Sequence, residues 1–124
     1  MIAPELTIEG SKTMPAITFK NGTLNIVGRS VMNSSKVWSE PVLKFLYEQS
    51  SFSHTTRINI HLDYLNSDSN RALLNLLTLA EQLHHMGKKV EVHWFYANSD
   101  MGMLDQAQIF KDLIEVPFNI VEVN

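Results

Sequence analysis

Two hydroxyls flank a carboxylate at Ser67, Asp68 and Ser69, inside the stretch DYLNSDSNRALLNLL over residues 63–77. A serine ahead of a helix can accept a hydrogen bond from a free N–H of the first turn and so cap the helix. It can also carry a phosphate, because a helix N-terminus offers unpaired N–H groups and a partial positive charge. Five histidines and thirteen Asp and Glu are the other groups able to do chemistry. His84 and His85 are neighbours, so on a helix they point about 100° apart and cannot share an ion. His61 and His93 are expected mid-strand, where they could face one another, but two ligands without a third and fourth make a poor metal site. No metal site is expected. Asp63 and Asp68, or Asp63 with His61 and the polar loop, could do acid–base work. Nothing beside them resembles a nucleophile with its base or an oxyanion hole, so the chain reads as non-enzymatic and without a cofactor.

The absence of cysteine removes disulfides, thiolate chemistry and zinc–thiolate sites. The five glycines are scattered and form no phosphate loop, and no G-x-S-x-G elbow occurs. The aromatic run Trp94, Phe95, Tyr96 could stack on a base or a partner. Its ordinary reading is that Trp94 packs under a helix while Phe95 and Tyr96 close the end of a strand.

Helices and strands must position these groups. In AITFKNGTLNIVG, two short alternating runs, 16–20 and 23–28, flank Asn21-Gly22, the residue pair that a type I′ hairpin turn demands. A polar, loop-like stretch follows, and then a helix over about 39–49 with Pro41 in its first turn. SSFSHTT reads as a linker. RINIHLDYL, 57–65, alternates Ile58, Ile60, Leu62 and Tyr64 against Asn59, His61 and Asp63, as a strand with one apolar face. A helix over about 69–86 carries Leu73, Leu76, Leu77, Ala80, Leu83 and His84 as its stripe, widened by Leu74 and Leu79, and stops at Gly87. Residues 89–97 read as a strand and 101–114 as a helix with Leu104, Ala107, Phe110 or Lys111, and Ile114 facing inward. FNIVEV reads as the last strand. Residues 1–13 look like a loosely ordered lead-in.

The order β-β-α-β-α-β-α-β predicts an α/β fold: a single domain, 1–124, with a mixed sheet, parallel in its second half and edged by the antiparallel hairpin. At 124 residues and 44% hydrophobic content the chain suits one domain with a real core. A formal net charge of -3 argues against general nucleic-acid binding, which needs a basic face. The start lacks the apolar stretch of a signal peptide, and no apolar run approaches the ~20 residues that span a bilayer. A soluble cytoplasmic protein without a membrane partner is expected.

In an open α/β sheet, functional groups collect at the carboxyl ends of the parallel strands. Ser67 is expected at such an end, with Tyr64, Asn66, Asp68, Ser69 and Asn70 around it and Tyr96 and Asn98 at the next strand end. These are the candidate partner-binding residues. One of Ser67, Asp68 and Ser69 is expected to cap the helix.

The segment running from LDYLNSDSNRALLNLL through VEVHWFYANSD to VPFNIVEV resembles the SiaC family of bacterial regulatory phosphoproteins, as do FKNGTLNIVGRSVMNSS and the helix around Pro41 to Leu46. The resemblance covers roughly residues 15 to 123. It implies a STAS-like fold, similar to anti-sigma factor antagonists. It further implies a switch, with a hydroxyl phosphorylated by a serine/threonine kinase similar to anti-sigma-factor kinases and released by a PP2C-type phosphatase. The unphosphorylated form is implied to bind a diguanylate cyclase and promote cyclic-di-GMP synthesis and biofilm formation. By position the acceptor falls on Ser67, with Ser69 a second candidate. The family commonly has threonine followed by serines there, so Asp68 is a departure that places a fixed charge beside the acceptor. The alternative is a constitutive STAS-like scaffold in which Ser67 is only a helix cap.

Overall fold

The computed structural model describes residues 5–51 and 55–123. Residues 1–4 of the lead-in and 52–54 of the expected linker lie outside this range. Six strands form one sheet in the order β1 (Leu6–Ile8), β2 (Ala16–Lys20), β3 (Thr23–Ser30), β4 (Thr55–Leu65), β5 (Lys89–Ala97), β6 (Phe118–Val123). The first three are antiparallel and β3 to β6 are parallel. The parallel strands are joined by α1 (Lys36–Gln49), α2 (Ser67–His85) and α3 (Met101–Leu113). Each crossover steps the same way along the sheet, so right-handed connections place all three helices on one face. Burial agrees. Ile58, Ile60 and Leu62 of β4 are buried, whereas Arg57, His61 and Asp63, which alternate with them, are exposed.

The hairpin forms as its sequence dictates. Asn21 and Gly22 both have positive φ, 53° and 78°, the conformation a type I′ turn requires. Within the expected loose lead-in, Leu6–Ile8 pairs with β2. Leu6 and Ile8 pack partly against the core, and pairing covers the edge that β2 would otherwise expose. At the far end of α2, Gly87 takes φ 90° as Lys88 N–H reaches Leu83 O (3.0 Å) and Gly87 N–H reaches His84 O (3.0 Å), closing a Schellman motif.

Three expectations need correction. The first helix begins at Lys36, three residues early, because Trp38 is buried in its first turn and its indole N–H donates to Ser30 Oγ (3.0 Å). Pro41 therefore lies inside the helix and deprives the carbonyl of Val37 of its usual partner. The inward stripe of α3 starts at Met103 rather than Leu104. In the third case the register of β4 shifts. Gly28 is opposite Leu62 but Arg29 is opposite Tyr64, so Asp63 is an extra residue. Such a bulge reverses which face the following side chains take. Tyr64 is consequently 52% exposed, not part of the apolar face, and Leu65 packs against the core instead.

Leu74 and Leu79 of α2 pack partly against the core, which accounts for the width of that helix's apolar face. Trp38 and Trp94 are both fully buried. Trp94 packs under α3 with its ring 5.4 Å from Phe110 and 6.3 Å from Phe118, but its indole N–H has no partner among the described residues. Phenylalanine at position 38 strips a hydrogen bond from Ser30, whereas phenylalanine at 94 removes an unsatisfied donor. Trp38→Phe is therefore expected to destabilise by about 1–2 kcal/mol more than Trp94→Phe, read as the difference between their urea midpoints at unchanged m.

Candidate functional site

Parallel pairing aligns the carboxyl ends of β3 and β4 at one end of the sheet, where the N-termini of α1 and α2 meet. The cap of α2 is Asn66. Its Oδ1 accepts from Ser69 N–H (2.9 Å), its Nδ2 donates to Met32 O (3.0 Å), and its own N–H donates to Ser30 O (3.1 Å). The expectation that Ser67, Asp68 or Ser69 caps the helix is overturned. These residues occupy the first three helical positions, and the extended conformation that a cap requires belongs to Asn66, at ψ -179°.

Each of the three residues has a separate fate. Ser67 is exposed, and among the described residues nothing hydrogen-bonds to its hydroxyl. Asp68 turns toward α1, where Oδ2 accepts the backbone N–H of Ser35 at 2.5 Å. Ser69 is fully buried. Its Oγ donates to Ser30 O (2.8 Å) and lies 2.6 Å from Ser30 Oγ and 2.9 Å from Ser35 Oγ. With Trp38 donating to Ser30 Oγ, three buried serines tie the end of β3 and the starts of α1 and α2 together.

Asp68 donates nothing and accepts the N–H of Ser35, the residue just before α1, so its ionised form is favoured. The hydrogen bonds from Ser35 hold its carboxyl below the ordinary value of 3.8, opposed by partial desolvation and aided by Arg71 and Lys36. The sign follows from linkage. A carboxyl with a lowered folded-state pKa stabilises the fold above 3.8 and loses that contribution as the pH falls below it. The Tm of the parent is expected to drop more steeply than that of Asp68→Asn as the pH is lowered below 3.8, which thermal melts across an acid series check.

The candidate partner-binding residues divide. Tyr64 stands exposed with Arg29 5.8 Å from its ring centroid, and it lines a cavity of about 220 Å³ with Asp63, Asp100 and the first turn of α3. Asn66 is committed to capping. Asn70 is half-buried and its Oδ1 has no hydrogen-bond partner among the described residues. Tyr96 packs partly against the core from β5, opposite Glu122 of β6. Asn98 is exposed, with its N–H on Val123 O (2.9 Å).

His61 and His93, which could have faced one another, are not paired across the strands. His93 is opposite Asn59 and its Nε2 is 3.1 Å from Glu91 Oε1, while His61 sits beside Phe95 at 6.2 Å. Among the described residues no group of three or more His, Cys, Asp or Glu could hold a metal. His61 and Asp63 line different cavities. No helix among the described residues is long and apolar enough to cross a membrane. A cavity of about 380 Å³ lies at the opposite end of the sheet around Gly87, Val90 and Pro117.

Residues 8–123 match the family model of the SiaC family regulatory phosphoproteins. The chain belongs to this family. An uncharacterised protein of Pseudomonas aeruginosa strain UCBPP-PA14 is 28% identical over 122 residues, covering 94% of each chain. The solved structure of SiaC of Pseudomonas aeruginosa matches with a TM-score of 0.89 at 25% identity, covering 97% of this chain and 99% of that one. A further solved structure is of the diguanylate cyclase SiaD in complex with its activator SiaC, also from Pseudomonas aeruginosa. The SiaC-like match there has a TM-score of 0.89 at 26% identity over 95% of this chain and 99% of that one. The mixed six-stranded sheet with three helices is thus the SiaC fold, and the STAS-like description fits it.

Ser30, Ser35, Lys36 and Arg71 escaped the sequence reading of the site. Ser30 and Ser35 sit in a stretch that looked like an ordinary polar loop. The available signal was the pairing of small hydroxyls with Trp38, an aromatic whose N–H needs a partner when buried.

Proposed function

We propose that this SiaC-family chain is a non-enzymatic cytoplasmic switch whose phosphoacceptor is Ser67. A serine/threonine kinase similar to anti-sigma-factor kinases adds the phosphate and a PP2C-type phosphatase removes it. The unphosphorylated form binds and activates a diguanylate cyclase, raising cyclic-di-GMP synthesis and favouring biofilm formation. Family membership and the SiaD complex of the Pseudomonas aeruginosa relative support the cyclase as partner.

One observation carries the choice of residue. Ser67 presents an exposed hydroxyl with no hydrogen bond among the described residues, on the first turn of a helix whose N–H groups favour an anion. Ser69 spends its hydroxyl inside the core, where a phosphate has no room and its charge no solvent. The cap role that competed for Ser67 belongs to Asn66, which weakens the scaffold alternative. Tyr64, Asp68, Asn70, Tyr96 and Asn98 at the same sheet end complete the proposed contact surface, with Asn66 holding its centre.

Peptide mass spectrometry on protein from the native host, with Ser67→Ala beside it, tests the assignment. A single phosphate on the peptide containing Ser67, absent from the alanine variant, is expected. Phosphate that persists in Ser67→Ala, or none under any growth condition, contradicts it.

A further inference from the structure

Two cations flank the first turn of α2. Arg71 and Lys36 are exposed, and neither has an ion pair within 4.0 Å among the described residues. Together with Asp68, Ser35 and Ser39 they line one small cavity of about 80 Å³ between α1 and α2. Both are near enough to Asp68 to help keep it ionised. The carboxylate of Asp68 is itself spent on the N–H of Ser35.

Helix geometry relates this corner to Ser67. Arg71 is one turn beyond Ser67 and about 40° round from it, between the bearings of Ser67 and Asp68. Side chains four apart start with Cβ atoms about 5–6 Å from each other, well within the reach of an arginine. A guanidinium offers a planar fork of donors that matches phosphate oxygens, and such charge-assisted bonds exceed neutral ones in strength. Lys36 approaches from the start of α1, which Asp68 and the buried serines hold in place.

We propose that Arg71, assisted by Lys36, receives the phosphate carried on Ser67, and that the resulting charge reversal of this corner is the signal a partner reads. The inference rests on the phosphoacceptor role of Ser67. Arg71, Lys36 and Asp68 sum to about +1, and a phosphate of about -1.5 to -2 takes these groups to about -0.5 to -1. A partner whose docking element carries a carboxylate is attracted to the first state and repelled by the second.

The test installs phosphoserine at position 67 by genetic encoding, without a kinase, and follows its second ionisation by phosphorus-31 NMR. Neighbouring cations favour the dianion, so the midpoint should lie below the ordinary value of about 6. Arg71→Gln should raise it by about half a pH unit, Lys36→Gln by less, and Arg71→Lys should keep most of the depression. Of the other charges at this end, Asp63 is 4.0 Å from Arg29 and Asp100 caps α3, whereas Glu40 stands one helical turn beyond Lys36 and offsets part of its charge, which is why the smaller shift is assigned to Lys36. Arg71 is exposed, so its variants keep the fold. Identical midpoints in the parent, Arg71→Gln and Lys36→Gln overturn the proposal. That result leaves phosphorylation of Ser67 standing, whereas a native host that never phosphorylates Ser67 leaves this electrostatic result intact.

Discussion

Aspartate at position 69 is expected to unfold much of the protein, while aspartate at position 67 leaves its stability unchanged or slightly raised. The hydroxyl of Ser69 is fully buried among Ser30, Ser35 and the carbonyl of Ser30, all oxygen neighbours that offer a carboxylate few donors. A buried charge without a partner costs several kcal/mol even after relaxation. That is a large share of the roughly 5–15 kcal/mol that holds a domain together. Position 67 differs in each respect. It is exposed, on the first turn of α2, and a negative charge there gains about 0.3–1 kcal/mol from the helix dipole. Thermal melts of Ser67→Asp and Ser69→Asp beside the parent check this. Equal Tm losses in the two variants, or a greater loss at 67, would sink the distinction between the two serines.

The second large effect concerns the cyclase. A phosphate on Ser67 adds about -1.5 to -2 charge and three acceptor oxygens to the proposed contact surface. Like-charge contact and partner groups left unpaired each cost a few kcal/mol. Only about 3 kcal/mol is needed for a hundredfold loss of affinity. Glutamate supplies about half the charge and a smaller anion, so about 1.4 kcal/mol and a tenfold loss are expected of Ser67→Glu. Ser67→Ala removes no hydrogen bond seen among the described residues and should activate as the parent does. Rates of cyclic-di-GMP synthesis by the host cyclase, titrated with the three proteins at subsaturating levels, provide the readout. Equal activation by Ser67→Glu and Ser67→Ala would count against an electrostatic switch.

Local chemistry made much of this fold readable. Asn21-Gly22 has a turn type that few residue pairs tolerate, and the strands at 89–97 and 118–123 announce themselves by alternation and by Pro117. The same rules could not place Tyr64, because its alternation with Ile58, Ile60 and Leu62 is intact in sequence and broken only by the bulge at Asp63. That bulge depends on β3, some thirty residues away. The site was legible as a location and not as an arrangement. Asn66, Ser67, Asp68 and Ser69 are all good caps, and no local rule ranks them. What separates them is distant: Met32 and Ser30 recruit Asn66, Ser35 recruits Asp68, and Ser30 with Ser35 buries Ser69. Ser67 is left free by elimination, which only the assembled structure reveals. Lys36 and Arg71 are 35 positions apart and look like ordinary surface charges until α1 and α2 meet.

The central claim is that the phosphorylation state of Ser67 decides cyclase binding. Its most direct test is one affinity measurement made twice. Protein carrying phosphoserine at 67 is titrated against the diguanylate cyclase of the host, treated with a PP2C-type phosphatase, and titrated again. A Kd that tightens by about a hundredfold on dephosphorylation is the result predicted. The same Kd before and after treatment would contradict the account and leave Ser67 a solvent-exposed residue of a constitutive scaffold.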